Sequence, residues 1–342
     1  MSEQRPVAVA VVGLGWWGRT VTAALQARSA ANRTGSGSMQ VVLGIDPSPA
    51  AVAACAELGI ANAPDLSVAL ADPGIEAVIL CTPHELHAAQ IIAAARAGKH
   101  VFCEKPLCTR AADLADALAA VSAAGVQLGV GHERRFEPAV LELHRRFAAG
   151  EFGTALQFEG NFSQDKFFAL APDNWRLSAE QAPVGPLSAT GIHLVDLAIL
   201  LLGRPTQVWA RLSTRGSSFA NGDTLAITIG FASGATALIS AVLATPFVGR
   251  VMLLGSSGWF EIRDRSHPER PSGWDVTSVR RDEEPVTRFF PLHEAVADNL
   301  AAFAQSVRAG GGYPIPVEQM SATVRTFEAI TRSVSSGAIE EI

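Results

Sequence analysis

An unbroken apolar run, Val7 to Val12, leads into Gly13-Leu14-Gly15-Trp16-Trp17-Gly18, and a helical pattern follows from Arg19 to Arg28. Apolar residues without alternation predict a strand covered on both faces, as in parallel sheets. The unit recurs as strand Gln40 to Ile45, helix Pro49 to Leu58, strand Ala77 to Cys81, helix Glu85 to Ala97, strand His100 to Glu104, helix Arg110 to Ala124 and strand Gln127 to Gly131. Such alternation predicts an α/β fold, a doubly wound parallel sheet. A Gly/Ser-rich loop from Ala31 to Ser38 precedes the second strand.

After a linking helix, Glu137 to Ala149, the apolar period drops to two. Ala155 to Phe162, Gln207 to Leu212, Thr224 to Phe231, Ala235 to Leu243, Arg250 to Leu254, Trp259 to Arg263, Trp274 to Arg280 and Val286 to Phe290 read as strands of an antiparallel sheet. Short turns are expected at Asn221-Gly222, Ser233-Gly234 and Ser257-Gly258. Helices Pro291 to Arg308 and Val317 to Ser335 finish the chain. Ser163 to Thr190 is a proline-broken stretch holding Phe167, Phe168 and Trp175, ahead of a helical Gly191 to Leu202. A connection that long inside a compact domain is usually functional, and this one is placed to close over a substrate.

The order strand, glycine turn, helix is the context of a dinucleotide fingerprint. Gly13 permits the tight turn, Gly15 admits a pyrophosphate against the backbone, and Gly18 lets helix pack on strand. The cradle thus spans Gly13, Leu14, Gly15, Trp16, Trp17 and Gly18, with helix N–H groups aimed at the phosphates. Asp46, ending the second strand, is placed to accept from an adenosine ribose; it also suits an Asx turn with Pro47. Its charge would repel a 2′-phosphate and no arginine adjoins it, so the expected cofactor is NAD in preference to NADP. Two further clusters lie at strand ends, where such sheets bind ligands: Thr82-Pro83-His84-Glu85-Leu86-His87 and Glu104-Lys105-Pro106. HELH lacks the H-E-x-x-H zinc spacing, so no metal is expected.

With 342 residues, 48% hydrophobic and 18% charged, the composition is globular and two domains are expected. A boundary near residue 130 gives a dinucleotide-binding domain, 1–130, and a second domain, 131–342. The net charge of -6 argues against nucleic-acid or anionic-membrane partners. The start lacks signal-peptide organisation and no apolar run is long enough to span a bilayer, so a cytoplasmic protein is expected. Cys55, Cys81, Cys103 and Cys108 form no C-x-x-C pair and read as reduced core thiols.

Taken together, GLGWWG, Cys81-Thr82-Pro83 with His87, Glu104-Lys105-Pro106, Arg135-Phe136 and Gly191-Ile192-His193-Leu194-Val195-Asp196 resemble the Gfo/Idh/MocA family of nicotinamide-dependent oxidoreductases. The resemblance implies a Rossmann domain followed by an α+β domain. The latter carries a large open antiparallel sheet, used for substrate binding and for homodimer or homotetramer contacts. It further implies hydride transfer between a nicotinamide and a secondary alcohol of a sugar, inositol or related cyclic polyol. Lys105 looks like the family's proton donor and acceptor, and His193 like its substrate-facing partner. Desolvation near a nicotinamide would bring a lysine's pKa down towards neutrality. Thr82, Pro83, His87, Glu104 and Lys105 are the implied cofactor contacts beyond the glycine turn. Arg135, Trp175, Thr190 and His193 are the substrate candidates. Many relatives carry an aspartate four residues before the histidine, where Ala189 stands here; Lys105 and His193 would then hold the hydroxyl between them, helped by Thr190. Two alternatives stay open, a dehydrogenase of a non-sugar ring such as a cis-dihydrodiol and a non-catalytic cofactor-binding sensor. His193 and Asp196, three apart on a helix, share a face, so Asp196 is expected to fix the imidazole's tautomer.

Overall fold

The computed structural model describes residues 5–30, 38–267 and 270–342; the expected Gly/Ser-rich loop falls outside them except for Ser38. The chain forms two compact units, Met1–Glu133 with Ala295–Met320, and Arg134–Glu294 with Ser321–Ile342.

The first unit runs β1 (Val7–Val12), α1 (Trp16–Ala30), β2 (Met39–Ile45), α2 (Pro49–Leu58), β3 (Ala61–Ala63), α3 (Leu66–Ala71), β4 (Ala77–Leu80), α4 (His87–Arg96), β5 (His100–Cys103), α5 (Ala111–Ala124) and β6 (Leu128–Val130). Among the described residues its six strands lie in the order β3-β2-β1-β4-β5-β6, all parallel. Each residue of β4 is buried, as the uninterrupted apolar run requires of a strand with helices on both faces. Local chemistry sets the helix ends. In α2 the Ser48 side chain accepts from Ala51 N–H, Pro49 fills the first turn, and Gly59 closes the helix at φ 66°.

The second unit contains α6 (Pro138–Ala148), β7 (Ala155–Ser163), α7 (Ile192–Leu202), β8 (Pro205–Ser213), β9 (Thr224–Phe231), β10 (Thr236–Val242), β11 (Val248–Gly255), β12 (Gly258–Asp264), β13 (Trp274–Arg280) and β14 (Val286–Phe290). Near the end of the chain, α8 (Ala295–Ala309) belongs to the first unit, α9 (Val317–Ser336) spans the last division, and β15 (Glu340–Glu341) closes the sheet edge. Among the described residues the nine strands take the order β14-β13-β12-β11-β7-β10-β9-β8-β15. The sheet is antiparallel except for β7 beside β10, a parallel pair that corrects the purely antiparallel expectation. Alternation buries one face: Phe158, Phe162, Ile227, Ile229, Val251 and Phe260 join α7 in the core.

A single division near residue 130 is replaced by a chain that returns. Phe303 of α8 meets Phe102 of β5 edge-on at 5.6 Å, and the side chains of Asn299 and Tyr313 donate to the Val130 carbonyl at 3.0 and 2.9 Å. An apolar helix face in a sequence does not say which sheet will receive it. Asn221-Gly222 also differs from expectation: it lies within the longer 214–223 connection, not a two-residue hairpin. There Asp223 accepts from the backbone N–H groups of Arg215, Gly216 and Ser217, which hold its carboxyl down at about 2 against the cost of burial.

Candidate functional site

The glycine turn has the packing that its spacing implies. Gly13 sits at φ 86°, and a Cβ there would approach Cys81 O to 2.8 Å; one on Gly18 would lie 1.9 Å from Gly13 O. Both are therefore required by the protein's own backbone. Gly15 differs, because a Cβ there meets nothing within 4 Å. Its bare backbone borders open space at the start of α1, the cradle a pyrophosphate needs.

Asp46 fastens this turn. Its Oδ2 accepts from Leu14 N–H at 2.8 Å and its Oδ1 from Ser48 N–H at 2.9 Å, so the Asx turn forms and also ties β2 to the glycine loop. Each oxygen retains a second lone pair for a ribose hydroxyl. Trp16 is 49% exposed, and its ring centroid lies 5.2 Å from that of Trp17.

At the tips of β4 and β5 the expected cluster divides into two roles. Thr82 Oγ1 donates to Gln90 Oε1 at 2.6 Å, and Pro83 precedes a single turn, His84–Leu86. Lys105 is half-buried at the end of β5, ahead of a cis peptide to Pro106. Glu104 beside it is buried, its Oε2 accepting from Lys105 N–H at 3.3 Å. Burial and the nearby Glu133 push the Glu104 carboxyl up to about 7, against the pull of the Trp17 indole and the Lys105 charge. His87, expected against the cofactor, is fully buried, with its ring nitrogens on the carbonyls of Pro106 and Thr82. No surface of the ring is left to touch a nucleotide.

In the second unit Leu187–Gly191 forms a π-type turn that runs directly into α7, and His193 lies in the first turn of that helix. His193 is buried, its ring centroid 6.0 Å from that of Phe162. Thr190, also buried, donates its hydroxyl to Pro186 O at 3.2 Å. Arg135, expected to bind substrate, instead lies buried with its fork on Asp196. The carboxylate expected to orient His193 is thus held by Arg135. Trp175 carries the guanidinium of Arg176 at 4.4 Å from its ring centre.

The 163–190 segment is anchored to its own unit. Asn221 Nδ2 donates to Arg176 O at 2.8 Å and Ala182 O at 2.9 Å, while Phe168 packs on Phe219 at 5.3 Å. These tethers oppose the expected free closure of the whole segment. Sequence reasoning missed Arg134, which is buried against Asp264 at 2.9 Å and Glu137 at 3.1 Å and covers the Phe162 ring at 5.3 Å. Its i,i+3 spacing from Glu137 was the available signal. It also missed His267, which bonds Gln164, meets Phe247 edge-on and lies tilted beside Phe162. Burial and the Lys166 charge hold that ring's pKa at about 4.

Residues 7–132 match the profile of an oxidoreductase family with an NAD-binding Rossmann fold, and residues 140–261 match the GFO/IDH/MocA C-terminal domain. The chain is 30% identical over 290 residues to D-xylose 1-dehydrogenase (NADP(+)) 2 of Haloferax volcanii, covering 84% of this chain and 86% of that one. It is 33% identical over 282 residues to scyllo-inositol 2-dehydrogenase (NAD(+)) of Bacillus subtilis, covering 78% of each. Among solved structures, levoglucosan dehydrogenase in complex with NADH and levoglucosan superposes with a TM-score of 0.86 at 22% identity, over 99% of this chain and 100% of that one. Aldose-aldose oxidoreductase from Caulobacter crescentus superposes with a TM-score of 0.85 at 23% identity, over the same shares. On the two profile matches and the relatives that span most of both chains, the protein belongs to the Gfo/Idh/MocA family of oxidoreductases.

Proposed function

We propose that the protein is an NAD-dependent dehydrogenase acting on a secondary alcohol of a sugar, inositol or related cyclic polyol. The observation that carries this reading is the glycine turn, where only Gly15 faces open space and Asp46 stands hydrogen-bonded beside it. The relatives named for xylose and scyllo-inositol support the polyol class, and they divide between NADP(+) and NAD(+). Asp46 favours NAD, because a carboxylate at the end of β2 accepts from ribose hydroxyls and repels a 2′-phosphate.

The bound nicotinamide supplies the hydride acceptor. Gly13 to Gly18 and the start of α1 hold the pyrophosphate, and Asp46 holds the ribose. Lys105 Nζ takes the proton of the substrate hydroxyl as the C–H bond breaks, and returns it in the reverse direction. His193 is the substrate-facing residue of the second unit. The outer face of the nine-stranded sheet, where Trp209 of β8 is 38% and Leu238 of β10 41% exposed on either side of Thr228 in β9, supports self-association as a dimer or tetramer.

The test is nicotinamide absorbance on a panel of D-xylose, levoglucosan, scyllo-inositol and a cis-dihydrodiol with NAD and NADP. Turnover of a polyol with NAD is expected. Turnover of the dihydrodiol alone replaces the substrate class, and bound coenzyme without turnover on any compound favours the sensor.

A further inference from the structure

His87 opens α4, yet its two ring nitrogens bond outside that helix. Nδ1 lies 2.8 Å from Pro106 O and Nε2 3.0 Å from Thr82 O. Thr82 follows β4 and Pro106 follows β5, so one imidazole is seated between the turns leaving two neighbouring parallel strands. Lys105 sits inside the second of these turns, bonded to Pro106. A neutral imidazole has one N–H and one lone pair, so it serves one of these carbonyls as donor and sets a lone pair against the other; only the imidazolium serves both. Burial opposes that charge and holds the ring's pKa below its ordinary value, while the carbonyls of Pro106, Thr82 and Leu107 pull it up. A side chain that only filled space here would not be a histidine between two acceptors.

We infer that His87 is the positioning residue of the Lys105 turn, fixing the Pro106 carbonyl against Thr82 and thereby the point from which the lysine side chain leaves the backbone. The inference rests on Lys105 being the proton acceptor proposed above. It also accounts for a histidine that cannot reach the nucleotide.

The test compares His87→Ala, His87→Gln and Lys105→Met in the full chain, using the panel polyol turned over fastest. NADH affinity is read from tryptophan fluorescence, and Lys105 itself from the pH dependence of its acetylation, followed by mass spectrometry. Lys105→Met is expected to be inactive. His87→Ala should keep the NADH Kd within about threefold, lower kcat by roughly ten- to a hundredfold and move the acetylation midpoint, as a displaced general base would. His87→Gln, whose amide still donates to one carbonyl, should recover part of kcat. If Lys105→Met is inactive but His87→Ala stays within about twofold of wild type in kcat, the positioning role is overturned and the lysine's role stands. An active Lys105→Met overturns both. Should His87→Ala fail to fold, His87→Gln carries the same readouts. Loss of folding in both variants, or parallel loss of kcat and NADH affinity without recovery in His87→Gln, reduces the ring to a core residue and overturns the inference.

Discussion

Arg135 grips Asp196 side-on through one edge of its guanidinium, Nε to Oδ2 at 2.7 Å and Nη2 to Oδ1 at 2.6 Å, with both side chains buried. This bidentate geometry fixes α7, and with it His193, to the segment that follows β6. Truncating one partner leaves the other's charge buried and uncompensated, a loss of about 3–5 kcal/mol. Arg135→Ala should therefore shift the urea midpoint strongly, and the double change Arg135→Met with Asp196→Leu should recover much of the loss. A variant with an unchanged midpoint and a raised KM would return Arg135 to the substrate.

Asp46 has two partners on the protein, and its removal separates two effects. Asp46→Ala strands the N–H of Leu14, at a cost of about 1–3 kcal/mol to the glycine turn. It also takes away the charge proposed to face the ribose. The ratio of kcat/KM for NAD over NADP is expected to favour NAD in the wild type and to fall by about tenfold or more in the variant, as one lost ionic interaction of about 1.4 kcal/mol implies. An unchanged ratio would mean that Asp46 only braces the loop.

Elements in both units were legible where their signals are local. The Ser48 cap, Pro49 and Gly59 bound α2 at the expected residues, and Thr224 to Phe231 alternates cleanly enough to give β9 its observed limits. β3 and α3 escaped notice, since strands of 3 residues and helices of 6 residues show no period. The glycine turn and Asp46 were readable for the same reason, being set by the residues themselves and one neighbouring strand. Arg135 and His87 were misplaced because a polar residue in a motif looks the same whether its partner is a ligand or a carbonyl 19 residues away. Only the fold decides which.

Glu104 gives a pH dependence of unusual sign. Its carboxyl lies over Gly131, where a Cβ would come within 2.5 Å of Oε1, and it titrates at about 7 in the fold against an ordinary 4.5. A raised carboxyl pKa favours the protonated fold, so this contribution is complete below the unfolded value and disappears as pH rises through about 7. Urea midpoints taken at about pH 5 and pH 8 should show wild type weakened at the higher pH, and Glu104→Gln should narrow the difference. Equal pH dependence in the two proteins would place the proton elsewhere in the Glu104 and Glu133 pair. Gly131→Ala should destabilise at both pH values by displacing the carboxyl from its seat.

His193 stands four residues after Ala189, the position where the family resemblance implies an aspartate. Ala189 lies in the π-type turn and is half-buried, while Ser188 and Thr190 on either side are buried. It therefore offers a position where a carboxylate can enter without breaking the core. Four residues separate it from His193, the spacing that stacks side chains on adjacent helical turns. Ala189→Asp should leave the Kd for NADH unchanged and lower KM for polyols, with the gain lost on adding His193→Ala. His193→Ala alone should reduce kcat/KM by on the order of 10²–10⁴, the range of a group that takes part in proton transfer. The ring also packs on Phe162, so thermal melting must accompany the kinetics: a fall in kcat/KM with an unchanged Tm supports a substrate-facing role. A kinetically silent His193→Ala with a lowered Tm would make the histidine a packing partner of Phe162 and remove it from the chemistry.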